Sequence, residues 1–224
     1  MNNLNIKQSL VASLLSLFLF SCSGSNLISS SYSTAFEVLT KKFSKEELAI
    51  DIQVIKNIPY ASSLFNFKGS SKALVILESK RRNIYTWVSS DEKVFITKGG
   101  RVVSTIGLPN NLYKIQRPEI DFGEIISSKK EVEYFSYYSF KGPDLNNLKV
   151  KVTAKVIGKE SIKILDEFKV VLLIEEKLYS HNTNWREVNR FWVDPTSLYV
   201  WKSEQHISPR LPLLYIETTK KPAI

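Results

Sequence analysis

The chain of 224 residues has little chemistry that is easy to recognise: one cysteine, two histidines and one methionine. A single cysteine cannot form an internal disulfide, and it cannot build a zinc site from several thiolates. Eight glycines and eight prolines are too few for a collagen-like or low-complexity chain. The sequence has no P-loop, no G-x-S-x-G elbow and no G-x-G-x-x-G loop. With 43% hydrophobic and 24% charged residues, it has the composition of a globular protein and not of a disordered one.

The N-terminus has the architecture of a secretion signal. Residues 1–21 contain one charged side chain, Lys7, and an apolar run follows it over residues 10–20. That run fits the apolar core of a signal peptide, about 7–15 residues, and is shorter than the about 20 residues that span a bilayer. The segment Leu-Phe-Ser-Cys at residues 19–22 resembles a bacterial lipobox.

The lipobox resemblance implies that Cys22 carries fatty acyl chains such as palmitate and becomes the first residue of the mature chain. Ser23, and not Asp, follows Cys22. In the sorting pattern of many Gram-negative bacteria this implies delivery to the outer membrane, with the protein facing the periplasm. The alternative is an ordinary signal peptide that is cut elsewhere, with Cys22 incidental.

We therefore expect a signal peptide at 1–21, a flexible tether rich in Ser and Asn at 22–33, and a single domain at 34–224. Spacings of three and four between apolar residues predict a short amphipathic helix at 33–44. A capping-box pattern predicts a second helical turn at 44–47. The alternation of apolar residues over 50–54 favours a strand.

The rest of the domain has the patterns of short strands separated by turns. Gly99-Gly100 predicts a hairpin, and strict alternation over 149–156 predicts a strand with one buried face. Residues 158–160 are predicted to turn the chain into a further strand, and 107–131 to form a long connection or a short helix. Other strands are predicted at 72–79, 83–89, 94–97, 101–105, 161–165, 168–179, 185–193 and 198–206. The fold class is mainly β: an antiparallel curved sheet or half-barrel with one or two short N-terminal helices.

An ordered set of short motifs follows the lipobox. They are Ile58-Pro59-Tyr60-Ala61-Ser62, Trp87-Val88-Ser89-Ser90-Asp91, Thr105-Ile106-Gly107-Leu108 and Phe191-Trp192-Val193-Asp194. Their order and spacing resemble the group 4 capsule polysaccharide lipoprotein family, YjbF/GfcB, over roughly residues 36–217. The resemblance implies a role in producing or exporting an extracellular or capsular polysaccharide. Ser197 departs from the family pattern, which implies Gly in that turn.

The family motifs are expected to be structural. Their key residues are Pro59, Tyr60, Trp87, Thr105, Gly107, Trp192 and Asp194. Neither His181 nor His206 has metal-ligand spacing, and acids adjacent on a strand, such as Glu175-Glu176, face opposite ways. We therefore predict no catalytic residue, no metal, no cofactor and no enzymatic activity, although distant acids that converge in space would overturn this.

Aromatic residues are the candidates for contact with a glycan. Tyr134 and Tyr138 are predicted to face outward, opposite Phe135 and Tyr137. Trp185 and Trp201 complete the candidate set, and the alternative is that all four aromatics pack in the core and its rim.

The formal net charge of +9 favours an acidic polysaccharide or membrane headgroups as partners over nucleic acid, for which no motif exists. Lys149, Lys151 and Lys155 would form one basic row, although scattered lysines also make an ordinary solvated surface. The leading hypothesis is a non-enzymatic outer-membrane lipoprotein that binds polysaccharide or acts as a scaffold for export-machinery proteins. The alternative is a periplasmic lipid or lipoprotein carrier whose half-barrel holds acyl chains.

Overall fold

The computed structural model describes residues 52–223, which hold two short helices, α1 (Ile52–Asn57) and α2 (Phe122–Ser128), and twelve strands. The strands are β1 (Ser62–Phe67), β2 (Ala73–Arg81), β3 (Ile84–Ser89), β4 (Val94–Lys98), β5 (Arg101–Ile106), β6 (Asn111–Gln116), β7 (Val132–Lys141), β8 (Leu145–Ile164), β9 (Glu167–Ser180), β10 (Trp185–Val193), β11 (Val200–Gln205) and β12 (Leu214–Lys220). The predicted signal peptide, tether and lipid anchor, and the helical segments at 33–47, lie outside the described residues.

Residues 52–57 form helix α1, so the strand predicted at 50–54 is wrong over 52–54, and residues 50 and 51 lie outside the described residues. Ile55 and Ile58, three residues apart, are both buried, whereas Ile52 is 37% exposed. A spacing of three is typical of a helix with one buried stripe. Helix α1 precedes β1, outside the segment 33–47 where the helices were predicted. Helix α2 lies between β6 and β7 instead.

All twelve strands belong to one sheet, in the order β5-β4-β3-β2-β1-β12-β11-β10-β9-β8-β7-β6. Each neighbouring pair is antiparallel. The predicted mainly antiparallel β fold is therefore confirmed. Because β1 pairs with β12, strands β5 and β6, which are consecutive in the sequence, become the two edges of the sheet.

The two edges approach each other, so the sheet is nearly closed and curves further than the predicted half-barrel. Leu112 N in β6 donates to Thr105 Oγ1 in β5 at 2.9 Å, and Ser104 Oγ donates to Tyr113 O at 3.2 Å. Between residues 52 and 223 no backbone ladder joins β5 to β6. These side-chain bonds hold the edges together at one end only. We call the gap that remains toward Arg101 the seam.

The interior of the sheet is filled with apolar side chains. Helix α2 begins at its N-cap Asp121, whose Oδ1 accepts a hydrogen bond from Glu124 N at 2.9 Å. It inserts Phe122 and Ile125, 3% and 1% exposed, into the core. Each such burial contributes about 1.5–3 kcal/mol. The core also contains Phe65, Trp87, Phe95, Leu112, Phe140, Val150, Ile174, Phe191 and Leu214.

Strand β8 continues through the turn predicted at 158–160, so that prediction is wrong. From Lys151 to Ile164 it pairs with β9, with a register shift between Val156 and Gly158. A β-bulge at this place bends a strand without ending it, and the bend resembles a turn in the sequence. The outer part of the hairpin covers a small cluster on the other face of the sheet: Val171, Leu173 and Trp192, with Ile162 and Trp201 against them.

The irregular region 107–131 contains β6 as well as α2, and the C-terminal β12 was also not predicted. The other predicted strands are present within a few residues of their expected ends. Over 149–156, Val150 and Val152 are buried while Lys149 is exposed, so the predicted alternation is confirmed. Gly99 and Gly100 connect β4 to β5, and both have positive φ, as the hairpin prediction requires.

Candidate functional site

The predicted outward direction of Tyr134 and Tyr138 is wrong. Tyr134 is 8% and Tyr138 is 7% exposed, whereas Phe135 is 47% and Tyr137 is 38% exposed. The register with β8 explains this, because Tyr134 lies opposite the inward Val152 and Tyr137 opposite the exposed Lys149. The two tyrosines therefore belong to the interior and offer no exposed face to a glycan.

The other two glycan candidates also pack against neighbours. Trp185 is 5% exposed, and its ring meets that of Tyr138 edge-on at 5.4 Å between centroids. Trp201 is partly exposed, with its ring 5.2 Å from that of Tyr199 and with Lys169 Nζ 4.9 Å from its centroid. Of the four predicted contacts, Trp201 alone keeps a surface for a ligand.

Three of the family-motif residues make hydrogen bonds inside the domain. Trp87 is buried and donates from Nε1 to Thr97 Oγ1 at 3.1 Å. Thr105 is buried at the joined end of the edges, where it accepts the bond from Leu112. Trp192 donates from Nε1 to Glu160 Oε2 at 2.7 Å, under the outer part of the β8–β9 hairpin. These contacts support the structural role that we expect for all three.

The remaining motif residues lie in turns. Gly107 follows β5 with φ +85°, a conformation that favours glycine. Asp194 Oδ1 accepts hydrogen bonds from Thr196 N at 3.0 Å and Ser197 N at 2.7 Å, which closes the turn before β11. Leu198, and not Ser197, has positive φ there, so the turn does not need Gly at 197. Pro59 and the exposed Tyr60 lie between α1 and β1.

A buried ion pair lies at the open end of the seam. Arg101 opens β5, and its Nε and Nη2 donate to Glu176 Oε1 on β9 at 2.8 and 2.6 Å. The hydroxyl of Tyr134 donates to the same oxygen at 3.1 Å. The two charged side chains are 6% and 4% exposed. The guanidinium also lies 3.7 Å from the ring centroid of Phe122, which adds a cation–π contact.

This environment changes the acidity of the tyrosine. Burial, and then the charge of Glu176, raise the pKa of Tyr134 well above its ordinary value. Tyr134 therefore stays protonated and acts as a hydrogen-bond donor. Glu176 accepts three hydrogen bonds on one oxygen, an arrangement suited to holding β5 to β9 across the interior.

A second arginine lies beside this pair. Arg117 directly follows β6, is half-buried and donates from Nη2 to Ile120 O at 3.0 Å. Burial lowers the pKa of its guanidinium from the ordinary value, and the nearby charge of Arg101 lowers it further. Among residues 52–223, no carboxylate forms an ion pair with Arg117. Glu176 therefore pairs with Arg101, and Arg117 lies near the charges of both without an ion pair of its own among the described residues.

A cleft of about 690 Å³ opens at the seam above these charges. Volumes of roughly 300–1,000 Å³ are usual for ligand sites in proteins. Strands β5 and β6, the loop at 119–121, Phe122 and Leu198 form its walls. The cleft is lined by Lys98, Gly99, Arg101, Val103, Ser104, Tyr113, Lys114, Ile115, Gln116, Arg117, Glu119, Ile120, Asp121, Phe122 and Leu198.

The charges around the cleft are unequal. Glu119 is engaged by Lys98 Nζ at 2.6 Å, and Asp121 caps helix α2. Arg117 and Lys114 form no ion pair with an acid among the described residues, and Arg117 acts on Glu176 and Glu119 as a nearby charge without a direct contact. The cleft therefore presents a net positive charge to a ligand. We call it the seam cleft.

The histidines and the basic row lie elsewhere. His206 Nε2 is 3.1 Å from Glu187 Oε2, and burial lowers its pKa below the ordinary value. Lys151 and Lys155 pair with Glu133 and Glu131, so two charges of the predicted basic row are already partnered. Within residues 52–223, no group of three His, Cys, Asp or Glu side chains could hold a metal ion.

The sequence did not identify Arg101, Arg117 or Glu176 as site residues. The prediction that Glu175 and Glu176 face opposite sides of the sheet is correct. Glu176 is buried, and Glu175 pairs with Arg190 on the outer side at 2.9 Å. A charged residue at an inward position of a strand was therefore the available signal. Its partner lies 75 residues away in the chain, and no local pattern predicts such a pair.

The fold and the seam cleft define a class: a nearly closed antiparallel β domain with a packed interior and a basic cleft at one edge. The family model described as "Group 4 capsule polysaccharide lipoprotein gfcB, YjbF" matches residues 30–219. The chain belongs to this family, and the resemblance found in its motifs is confirmed.

Two relatives from Escherichia coli K12 agree with this. The chain is 24% identical to the uncharacterized lipoprotein YjbF over 157 residues, which cover 68% of this chain and 72% of YjbF. It is 22% identical to the uncharacterized lipoprotein GfcB over 203 residues, 88% of this chain and 90% of GfcB. The crystal structure of the hypothetical lipoprotein YmcC from E. coli K12 has the same fold, with a TM-score of 0.75 at 17% identity, covering 91% of this chain and all of YmcC.

Proposed function

We propose that this protein is an outer-membrane lipoprotein, anchored through acylated Cys22 and facing the periplasm, that acts in the assembly or export of a capsular or extracellular polysaccharide. The match to the family model over residues 30–219 is the observation that supports a role in this pathway. The match begins within the proposed tether at 22–33, which would join the lipid to a single domain at 34–224. No helix among the described residues is long and apolar enough to cross a membrane.

The proposed mode of action is binding and not catalysis. The seam cleft supports binding because it is concave, basic and of ligand size. The carboxylate of Glu176, which is buried beside the cleft, is held by Arg101 and Tyr134 and so is poorly placed to exchange protons with a substrate. The cleft would engage polysaccharide, or an export protein that carries it.

The described residues give less support to lipid carriage. A carrier of acyl chains needs an open apolar concavity, whereas the interior here is filled by the core and by Phe122 and Ile125 of α2. The seam cleft is lined by six charged residues. Burying an acyl chain against charged groups is unfavourable.

The anchor and the pathway are tested together in a strain that lacks the gene. The strain is complemented with wild type, Cys22→Ala, Ser23→Asp or the control Ser23→Ala, and extracellular polysaccharide is measured. Labelling with radioactive palmitate and membrane fractionation report acylation and location. We expect wild type and Ser23→Ala to restore polysaccharide, and Cys22→Ala to lose both label and function. We expect Ser23→Asp to keep the label but leave the outer membrane.

Each part of the proposal has its own contrary result. Unchanged polysaccharide in the deletion strain would contradict the pathway. Full restoration by Cys22→Ala would keep the pathway and make the anchor dispensable. Palmitate label on Cys22→Ala would show that Cys22 is not the acylated residue.

A further inference from the structure

We propose that the seam cleft binds a carboxylate-bearing sugar of the polysaccharide, that Arg117 holds the carboxylate, and that Tyr113 lies against the sugar ring. This inference rests on the proposed function, since it names the chemical class of ligand for the same site.

The first argument is the charge at the floor of the cleft. Arg101 and Arg117 lie near one carboxylate, Glu176, and Arg101 already donates two hydrogen bonds to its Oε1. A desolvated cation without a partner is costly, and an anion that enters the site removes that cost. The low-dielectric surroundings of Arg117, which lower its pKa, also strengthen its attraction to an anion.

The second argument is the geometry of the guanidinium. Arg117 uses Nη2 to bond Ile120 O, which fixes the side chain at the end of β6. A guanidinium has five N–H donors in a planar fork that matches the two oxygens of a carboxylate. The donors not used by Ile120 remain for a ligand in the cleft. A planar carboxylate fits this donor set better than a lone hydroxyl does.

The third argument is an aromatic side chain, Tyr113, in the wall of the same cleft. Tyr113 is 55% exposed, and Lys141 Nζ lies 4.4 Å from its ring centroid. An exposed tyrosine ring offers an apolar face with a polar tip, suited to a sugar ring. Ser104 and Gln116 add hydroxyl and amide groups beside it. The second cation, Lys114, would add a point charge for a further acidic group.

These features favour a sugar acid over an acidic peptide. A peptide would need backbone partners, and the edge strands β5 and β6 are close to each other at the joined end, with Thr105 and Ser104 already bonded across the gap. A polysaccharide needs only side-chain partners along an open cleft. Acidic peptides therefore serve as a competing outcome in the test.

The test is a titration of the full acylated chain in detergent micelles, followed by calorimetry. The probes are tetragalacturonate and its methyl ester, which has the same sugars without the carboxylate charge. A tetraglutamate peptide is the third probe. The variants are Arg117→Gln, Arg117→Lys and Tyr113→Ala. Arg81→Gln is the matched control, because it removes one exposed arginine on the β2–β3 hairpin, outside the cleft.

We expect wild type and Arg81→Gln to bind tetragalacturonate at least about ten-fold more tightly than its methyl ester or the peptide. Arg117→Gln should weaken binding of the acid by about ten- to 100-fold and bring it to the level of the ester. Arg117→Lys should fall between, because it keeps the charge and loses the fork. Tyr113→Ala should weaken acid and ester together.

Several results would overturn the inference. They are equal binding of acid and ester to wild type, no binding of either, tighter binding of tetraglutamate, and equal losses in Arg81→Gln and Arg117→Gln. Thermal unfolding of each variant shows whether it is folded. If Arg117→Gln does not fold, Arg117→Lys replaces it in the comparison with wild type. The polysaccharide assay of the deletion strain is independent of this titration, so the pathway can stand while the carboxylate site fails.

Discussion

The buried pair Arg101–Glu176 gives the sharpest prediction about stability. Both side chains are almost fully buried, and the carboxylate accepts from Arg101 and Tyr134. Glu176→Gln keeps the shape but removes the negative charge, which leaves Arg101 and Arg117 facing each other without compensation. Removing one partner of a buried pair costs about 3–5 kcal/mol. For a domain of this size, that free energy lowers Tm by roughly 10 °C.

The neighbouring residue provides the control. Glu175 is on the same strand but points outward, where it pairs with the 41%-exposed Arg190. Glu175→Gln should cost less than about 1 kcal/mol, as usual for exposed pairs. Urea unfolding of both variants and of wild type measures the difference, provided that the slope of the transition is unchanged.

A double-mutant cycle tests the cause. Arg101→Met and Glu176→Leu should each destabilise strongly, and the double variant should recover to within about 1–2 kcal/mol of wild type, because no buried charge of the pair remains unpaired. The reasoning is refuted if the two single losses simply add in the double variant. It is equally refuted if Glu176→Gln and Glu175→Gln cost the same.

Two further predictions concern single sites. Gly100→Ala would place a Cβ 2.2 Å from Val200 Cγ2 at a residue with φ +79°, so we expect a loss of about 3 kcal/mol. Gly99→Ala, which meets nothing within 4 Å, should cost only the strain of its positive φ, about 1–2 kcal/mol; equal losses in urea unfolding would contradict the clash. Burial lowers the pKa of His206, so the unfolded chain binds more protons than the folded one as pH falls through about 6.5. Stability should therefore decrease between pH 7.5 and 5.5, and His206→Gln should flatten that decrease; an unchanged slope would assign it to other groups.

Strands with a strict alternation were predictable from the sequence. Residues 149–156 and 185–193 alternate or carry dense apolar residues between clear turn signals, and both are strands at those places. Strand β6, Asn-Leu-Tyr-Lys-Ile-Gln, has one fully buried residue, Leu112, and a bulge. Its local pattern is too weak to identify a strand, and pairing with β7 decides its conformation.

The face of the sheet to which each side chain points, and the contacts between residues far apart in the sequence, were not predictable. Tyr134 and Phe135 are adjacent and both aromatic, so only the register with β8 decides which of them is buried. The bulge at 156–158 changes the face of β8 without a turn. The seam cleft exists because β5 and β6, neighbours in sequence, become opposite edges of one sheet. That closure depends on β1 pairing with β12, which is a long-range contact.

The position of Arg117 is better explained by binding than by stability. An apolar side chain at this place could pack against Ile115 and Ile120 without the cost of a half-buried charge. The inner pair of Arg101 and Glu176 already satisfies its own charges, so Arg117 adds repulsion and no new ion pair within the described chain. Sequences usually depart from the most stable choice at functional sites. The unpaired charge of Arg117 lies at the seam, the gap between the edge strands β5 and β6. An anionic ligand would stabilise the protein most at this place, because it would neutralise that charge.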